Sequence, residues 1–398
     1  MTLSVGYAQD VITPSLDRPV YLAGFGQDRR AETVHDDLYV RALALKDEKT
    51  TLILAALDLI GFFRQPALEV AQRIQAKVPD AQVIVASIHN HHGPDTMGLW
   101  GPDQKKSGVD PAYLTKLKEQ LVTTCLSSLA KMQPSRLKTT SVHVPGVVKN
   151  ARDPGVLDDE LTLAQFCHVK TKKPLLSLFN FPCHPEVLWE HNPHITADYP
   201  GFLRGEVEAA TSAPCIFFSG ALGGMLTPDV SEHSFEEAEA MGRTLAEAGL
   251  NALAKVTLSD PSPTINLRKR EIRIKLSNIL FKLAFCTGLL PDTRNRKGEI
   301  VTEVNLVRLG TLWLAAVPGE MLPKLGMTLK ADLRRAGAEA AGVIGLANDE
   351  LGYILPREDF RYPLNPFKPG RHYEETMSVG KDIGPIVVEA MQSLLAVV

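Results

Sequence analysis

The sequence is poor in the features that would make its class obvious, and each shortage excludes something. Its five cysteines, at 125, 167, 183, 215 and 286, are odd in number, widely spaced and without a CxxC pair. They do not suggest a disulfide framework, and Cys167, Cys183 and Cys215 sit in apolar, strand-like runs, so they read as small buried hydrophobes of a reducing compartment. The most apolar stretch, ILFKLAFCTGLL at 279–290, is twelve residues long and interrupted by Lys282. A membrane span needs about 20, so no transmembrane segment is expected; buried core is the first reading of this stretch and an apolar lip on a lipid pocket the second. Charge of either sign is not in excess: a net −3 gives no bulk attraction to nucleic acid or to an anionic membrane, and no nucleic-acid partner is expected. The first residues, MTLSVGYAQDVITPSLDRP, lack a basic segment followed by an apolar one, which reads as a cytoplasmic chain without a secretory signal. No repeat, low-complexity tract or Gly/Ser linker divides the 398 residues. The expectation is one α/β catalytic domain over 1–398, with layered mixed sheets flanked by helices.

What is present follows an α/β rhythm. After an opening to residue 29 punctuated by glycine and proline, residues 38–45 and 51–59 read as adjacent strands, and 66–77 as a helix leading to a β-branched strand around Val83, Ile84 and Val85. Leu114, Leu117, Leu121, Cys125 and Leu129 recur at helical spacing within 111–132. Residues 161–169 and 174–181 form a hairpin pair, 200–210 and 234–254 helices, 214–218 a strand and 264–275 another. A second hairpin, 302–309 with 312–317, ends in Pro-Gly-Glu; a helix at 322–335, a strand at 341–346, a proline- and aromatic-rich loop at 353–373 and a closing helix at 380–398 complete the chain.

The chain is organised around residues 84–101, IVASIHNHHGPDTMGLWG, where a buried strand delivers three histidines to a turn. His89 and His91 are two apart and share one side of an extended segment, whereas His92 points away. Three further strand ends carry chemistry: His184, Glu320 and Tyr353. Pockets in α/β sheets open at strand carboxyl ends, and two neutral imidazoles with a carboxylate and an open position suit a catalytic zinc. Plainer readings compete at several of these positions. Glu320 would sit well in the first turn of the following helix, and Tyr353 would serve as a core ring with a solvated hydroxyl. His191 and His194 read as surface loop residues, and Asp198 as the cap of the helix at 200–210.

These motifs together resemble the neutral/alkaline ceramidases, zinc-dependent amidases that split ceramide into sphingosine and fatty acid. HNHHGP at 89–94 is similar to that family's His-Thr-His-Ser-Gly-Pro, which implies that His89 binds zinc and His91 lines the site. NFPCHPEVL places His184 at the second zinc histidine, VPGE places Glu320 at the zinc glutamate, and LGYILPREDF places Tyr353 at the zinc tyrosine. By the same resemblance Arg152 of NARDP and Tyr373 of RHYEE stabilise the oxyanion. The family's Gly-Asp-Val-Ser-Pro-Asn reads Gly224, Met225, Leu226, Thr227, Pro228, Asp229 here, so a hydroxyl survives at Thr227 and a carboxylate is lost at Met225. The C-terminal immunoglobulin-like domain of the full-length enzymes is not expected in this chain.

The resemblance implies a neutral-ceramidase-like fold and hydrolysis of an acyl amide or acyl ester by a zinc-activated water. Zn2+ would be held by His89, His184, Glu320 and Tyr353, with His91, Arg152, Tyr373 and Thr227 as catalytic residues. The substrate is a small-molecule or lipid acyl compound, and the loss at Met225 makes ceramide itself a poor one. Two rivals remain open at this stage: a zinc esterase or lactonase of small acyl substrates, and a non-catalytic lipid-binding relative.

Overall fold

A computed structural model describes residues 3–258, 263–288, 290–291, 293–360 and 373–396 of the chain. Eight strands, β1 (Ser4–Val11), β2 (Tyr39–Lys46), β3 (Thr51–Leu57), β4 (Ala81–Ser87), β5 (Gln133–His143), β6 (Glu160–His168), β7 (Pro174–Phe181) and β8 (Cys215–Ser219), form one sheet in the order β8-β7-β6-β5-β1-β2-β3-β4. A second sheet runs β9 (Ile265–Lys275), β10 (Glu299–Leu309), β11 (Leu312–Ala316), β12 (Ala340–Ile344) in sequence. Three neighbouring pairs in these sheets are parallel: β3 with β4, β7 with β8, and β11 with β12. Parallel strands need a crossover. Helices α1 (Arg64–Gln75), α3 (Asp198–Thr211) and α6 (Pro323–Arg335) supply the three, and the turns at the carboxyl ends of β4, β7 and β11 are where His89, His184 and Glu320 emerge.

Side-chain alternation decides what each sheet face meets. Thr162 donates its hydroxyl to the Ala341 carbonyl at 3.0 Å and the Asn180 amide donates to Val343 at 2.8 Å, so this face of β6 and β7 lies on the second sheet. Leu163 and Phe179, one position away, meet α4 (Phe235–Ala254), where a Cβ on Gly249 would stand 2.3 Å from the Phe179 ring. Val70 and Ile74 of α1, with Leu117 and Leu121 of α2 (Pro111–Ala130), cover the outer face of β2 to β4. Leu329 and Leu333 of α6, with Ile383 and Val387 of α8 (Ile383–Leu395), do the same for the second sheet. The result is the expected α/β architecture of layered mixed sheets flanked by helices. Arg204 of α3 donates two hydrogen bonds to the Asp58 carboxylate at the end of β3, at 2.6 and 2.8 Å, and both side chains are fully buried.

Several expectations need correction. The opening segment is not irregular throughout: β1 lies within it and pairs with β2 over eight residues. β5 was missed between a helix and a loop because only two of its eleven residues are fully buried, which leaves no apolar signature. Asp198 does not cap α3; it is the first residue of that helix, at φ +54°, and its carboxylate accepts the N–H groups of Leu188 and Tyr199. Residues 279–287 are not core. They form α5 (Ile279–Thr287), which has no buried residue. Most of the aromatic loop falls at 361–372, outside the described residues.

Candidate metal centre

His89 follows β4 by two residues and adopts φ +64°, a left-handed conformation that a non-glycine residue keeps only when its surroundings hold it there. Part of that hold is a hydrogen bond from its Nδ1 to the Ile60 carbonyl at 2.8 Å. His184, beyond β7, makes the matching bond from Nδ1 to the Leu226 carbonyl, also 2.8 Å. A carbonyl only accepts, so each Nδ1 carries a proton and each ring turns its Nε2 inward. Both Nε2 atoms face the same carboxylate oxygen. Glu320 Oε2 stands 3.4 Å from His89 Nε2 and 3.3 Å from His184 Nε2.

Two ring nitrogens and a carboxylate oxygen that converge on one buried point can hold a cation between them. Ligands about 2.0 to 2.1 Å from a tetrahedral zinc stand about 3.3 to 3.4 Å apart, so the donor set and its spacing fit a metal of that size. These groups also shift one another strongly. Burial pushes the Glu320 carboxyl up, but His89 and His184 outweigh it and hold the group at about 2. Burial pushes the His184 imidazole down, and the carboxylates of Glu186 and Glu320 lift it to about 9. His89, His91 and His184 form a buried cluster whose ligand atoms lie within 4.8 Å of one another, which suits a metal ion.

Glu320 reaches this point on a short strand, Glu320–Met321, and not in the first turn of α6. That strand pairs in parallel with Tyr353–Ile354, which sets Tyr353 directly opposite Glu320. The Tyr353 ring lines the cavity, and its hydroxyl lies 3.7 Å from the Met225 sulfur. Gly223 fixes the strand from the other side: its N–H donates to Met321 at 2.9 Å, and a Cβ there would stand 2.4 Å from the Glu320 carbonyl oxygen.

His91 packs edge-on against the rings of His89 and His184, with centroids 4.9 and 5.6 Å away. Gly24, at φ +102°, makes room for it, since a Cβ there would meet His91 Nδ1 at 2.6 Å. Burial drives the His91 imidazole well below its ordinary range, and the neighbouring His89 and His184 add to that, so the ring is neutral. Tyr373 begins α7 (Tyr373–Thr376), and its ring stands 5.9 Å from that of Tyr353; burial raises its phenol to about 12. Thr227 is buried on the short strand Leu226–Pro228.

Arg152 stands apart from this centre, as do His191, His194 and His92, which were expected outside it. The donors of Arg152 go to its own neighbours: Nη1 to Glu374 at 2.5 Å, Nη2 to Glu375 at 3.0 Å and to the Asp359 carbonyl at 3.3 Å. It therefore clamps α7, the element that carries Tyr373. His191 is 91% exposed, and His194 meets the Thr33 hydroxyl at 2.6 Å. His92 faces Asp198 at 3.4 Å, on the far side from His89.

No protein-family model and no curated protein sequence matches the chain. Solved structures do. The crystal structure of neutral ceramidase from Pseudomonas aeruginosa superposes with a TM-score of 0.79 at 16% identity, covering 100% of this chain and 75% of that one. A ceramidase complexed with C2 superposes at 0.77, again with 16% identity, over 99% of this chain and 74% of the other. The fold is that of neutral ceramidase.

Within this ceramidase fold, two buried carboxylates line the cavity that sequence reasoning did not single out. Glu186 lies 3.2 Å from His91 Nδ1 and beside the Thr227 hydroxyl; burial raises its carboxyl, against the opposing pull of His184. Glu350 accepts the Gly352 N–H at 2.9 Å, and burial followed by the Glu320 charge pushes it well above the usual carboxylate range. The available signals were short: an acid two residues after His184, and one three residues before Tyr353. The cavity has a volume of about 220 Å³, and its walls are apolar, including Phe25, Phe63, Met97, Trp100 and Phe281.

Proposed function

We propose that this chain is a zinc-dependent hydrolase of acyl amide or acyl ester bonds, working as one catalytic domain over 1–398. The observation that carries the proposal is the convergence of the His89 and His184 Nε2 atoms on the Glu320 carboxylate. His89, His184 and Glu320 would hold the ion, with Tyr353 as the fourth ligand; two imidazoles with oxygen donors favour zinc over the harder cations. When bound, zinc supplies a polarised acyl carbonyl and a water acidified towards neutral pH.

The remaining chemistry belongs to side chains around the cavity. His91 is neutral and 3.2 Å from Glu186, so it can take a proton and pass it to the departing nitrogen or oxygen. Tyr373, its phenol kept protonated, donates a hydrogen bond to the oxygen that gains charge as the acyl carbon becomes tetrahedral. Arg152 acts one step back by holding α7, in place of the direct oxyanion contact expected from the resemblance. Thr227 hydrogen-bonds the substrate, and the apolar walls receive the acyl group.

The ceramidase activity named for the fold relatives makes an acyl amide the first bond to test. Met225 favours a second reading at the leaving-group side: a thioether stands where the resembled family has an acid, which suits esters or simple amides better than a hydroxylated headgroup. Ceramide, N-acyl amides and acyl esters of short and long chain should be assayed with and without chelator. Turnover of amides or esters that stops on chelation and returns with zinc is expected. Chelator-insensitive turnover would contradict the metal chemistry, and ceramide as the best substrate would contradict the argument from Met225.

A further inference from the structure

α5 is built the wrong way round for a helix that merely covers a core. Its inward residues, Phe281 and Phe285, pack against the second-sheet core with their rings edge to face at 6.4 Å. Its outward residues are apolar as well: Ile279 is 60% exposed, Leu280 47% and Leu283 60%. Ile279, Lys282, Leu283 and Cys286 recur at the three- and four-residue spacing of one helix face, where a water-facing helix carries polar groups. The helix is also held in place. Asn278 caps it, accepting the Leu280 N–H at 2.8 Å, while its amide donates to the carbonyls of Thr376 at 2.9 Å and Ser378 at 2.7 Å, which ties α5 to the end of α7 and the residues after it.

The charge around this face selects its partner. Lys282, Arg296 and Lys297 are exposed around this face, while Lys275 stands opposite Glu299 in the β9–β10 register and Arg294 stacks on Phe285, in a chain whose net charge is −3. The whole-chain charge therefore hides a basic rim. A second copy docked face to face through α5 would bring these bases together, whereas an anionic lipid surface neutralises them. Nine residues cannot span a bilayer, but they can lie in its interface with the Lys282 ammonium drawn out to the headgroups.

We infer that α5 and its basic flank form a docking surface for an anionic phospholipid bilayer. Ile279, Leu280 and Leu283 enter the acyl boundary, and the flanking lysines and arginines meet the phosphates. Phe281 and Leu290 line the cavity of the metal centre, so docking sets the cavity against the bilayer and lets an acyl chain enter along an apolar path. Vesicle binding needs no turnover, so this surface is tested independently of the hydrolase reading.

The test is co-sedimentation of the full, zinc-loaded chain with vesicles of phosphatidylcholine alone, or of equal parts phosphatidylcholine and phosphatidylglycerol. Binding to the mixed vesicles, weakening as salt rises, is expected. Leu283→Asp should lower it by about tenfold or more, the scale of burying one leucine side chain. Lys282→Glu should narrow the difference between the two vesicle types. Both positions are exposed, and an unchanged melting temperature will show that the variants are folded. Absence of binding, equal binding to both vesicle types, or wild-type binding by Leu283→Asp would overturn the inference. So would a dimer in solution that Leu283→Asp dissociates, since the face would then belong to a second copy.

Discussion

His89 and His184 each commit one ring nitrogen to a backbone carbonyl and turn the other towards the Glu320 carboxylate, where the proposed ion would sit. Replacing either residue removes one ligand and leaves the Glu320 carboxylate facing a single imidazole. His89→Ala and His184→Ala should therefore lose both metal and hydrolysis, while His191→Ala and His194→Ala keep both; metal content by mass spectrometry alongside turnover checks this. A second residue-scale prediction concerns Asp349, which burial raises to about 6 from an ordinary 3.8. Its folded form resists ionisation, so its contribution to stability is complete below the unfolded pKa and is lost as pH rises through about 6. Two units correspond to roughly 3 kcal/mol. Denaturation at pH 4 and pH 7 should show Asp349→Asn gaining on the parent chain by about that amount at the higher pH. His89, His184 and Glu320 were legible in the sequence because each ends an apolar strand in a polar turn. Glu186 and Glu350 were not, because an acid beside a turn reads as solvated until the tertiary fold buries it.

At the scale of elements, the three crossover units were partly legible, and they position the site. Strand, helix and strand could be read for β3, α1 and β4, and the hairpin of β6 and β7 for its turn at 170–173. β1 was obscured by Gly6 and a polar end, and β5 by its half-exposed course. α5 misled for a different reason: its composition is that of a core helix, and composition does not say which side of a helix meets protein. The placement of Glu320 depends on the backbone approach at Gly223, and this gives a test that leaves every ligand in place. Gly223→Ala must push the Glu320 strand away, because its Cβ would lie 2.4 Å from a backbone oxygen. Zinc affinity should fall by about tenfold or more, the scale seen when the support of a ligand is removed, while circular dichroism stays that of the folded chain. Unchanged zinc affinity would mean that Glu320 is not held through this contact.

For the whole molecule, the candidate metal centre depends on how the two sheets are stacked. His89 and His184 follow strands at opposite flanks of the large sheet, and Glu320 follows β11 of the second sheet on a short strand paired with Tyr353–Ile354. Residues more than 200 positions apart, His89 and Glu320, come within 3.4 Å. No spacing rule in the sequence predicts such an encounter, and here the family resemblance carried what periodicity could not. The most direct measurement is anomalous scattering at the zinc absorption edge from crystals of the zinc-loaded chain. The account predicts one peak per chain between His89 Nε2, His184 Nε2 and Glu320 Oε2, with the Tyr353 oxygen completing the set. A peak elsewhere, or none at that point with the two Nε2 atoms turned apart, would contradict it.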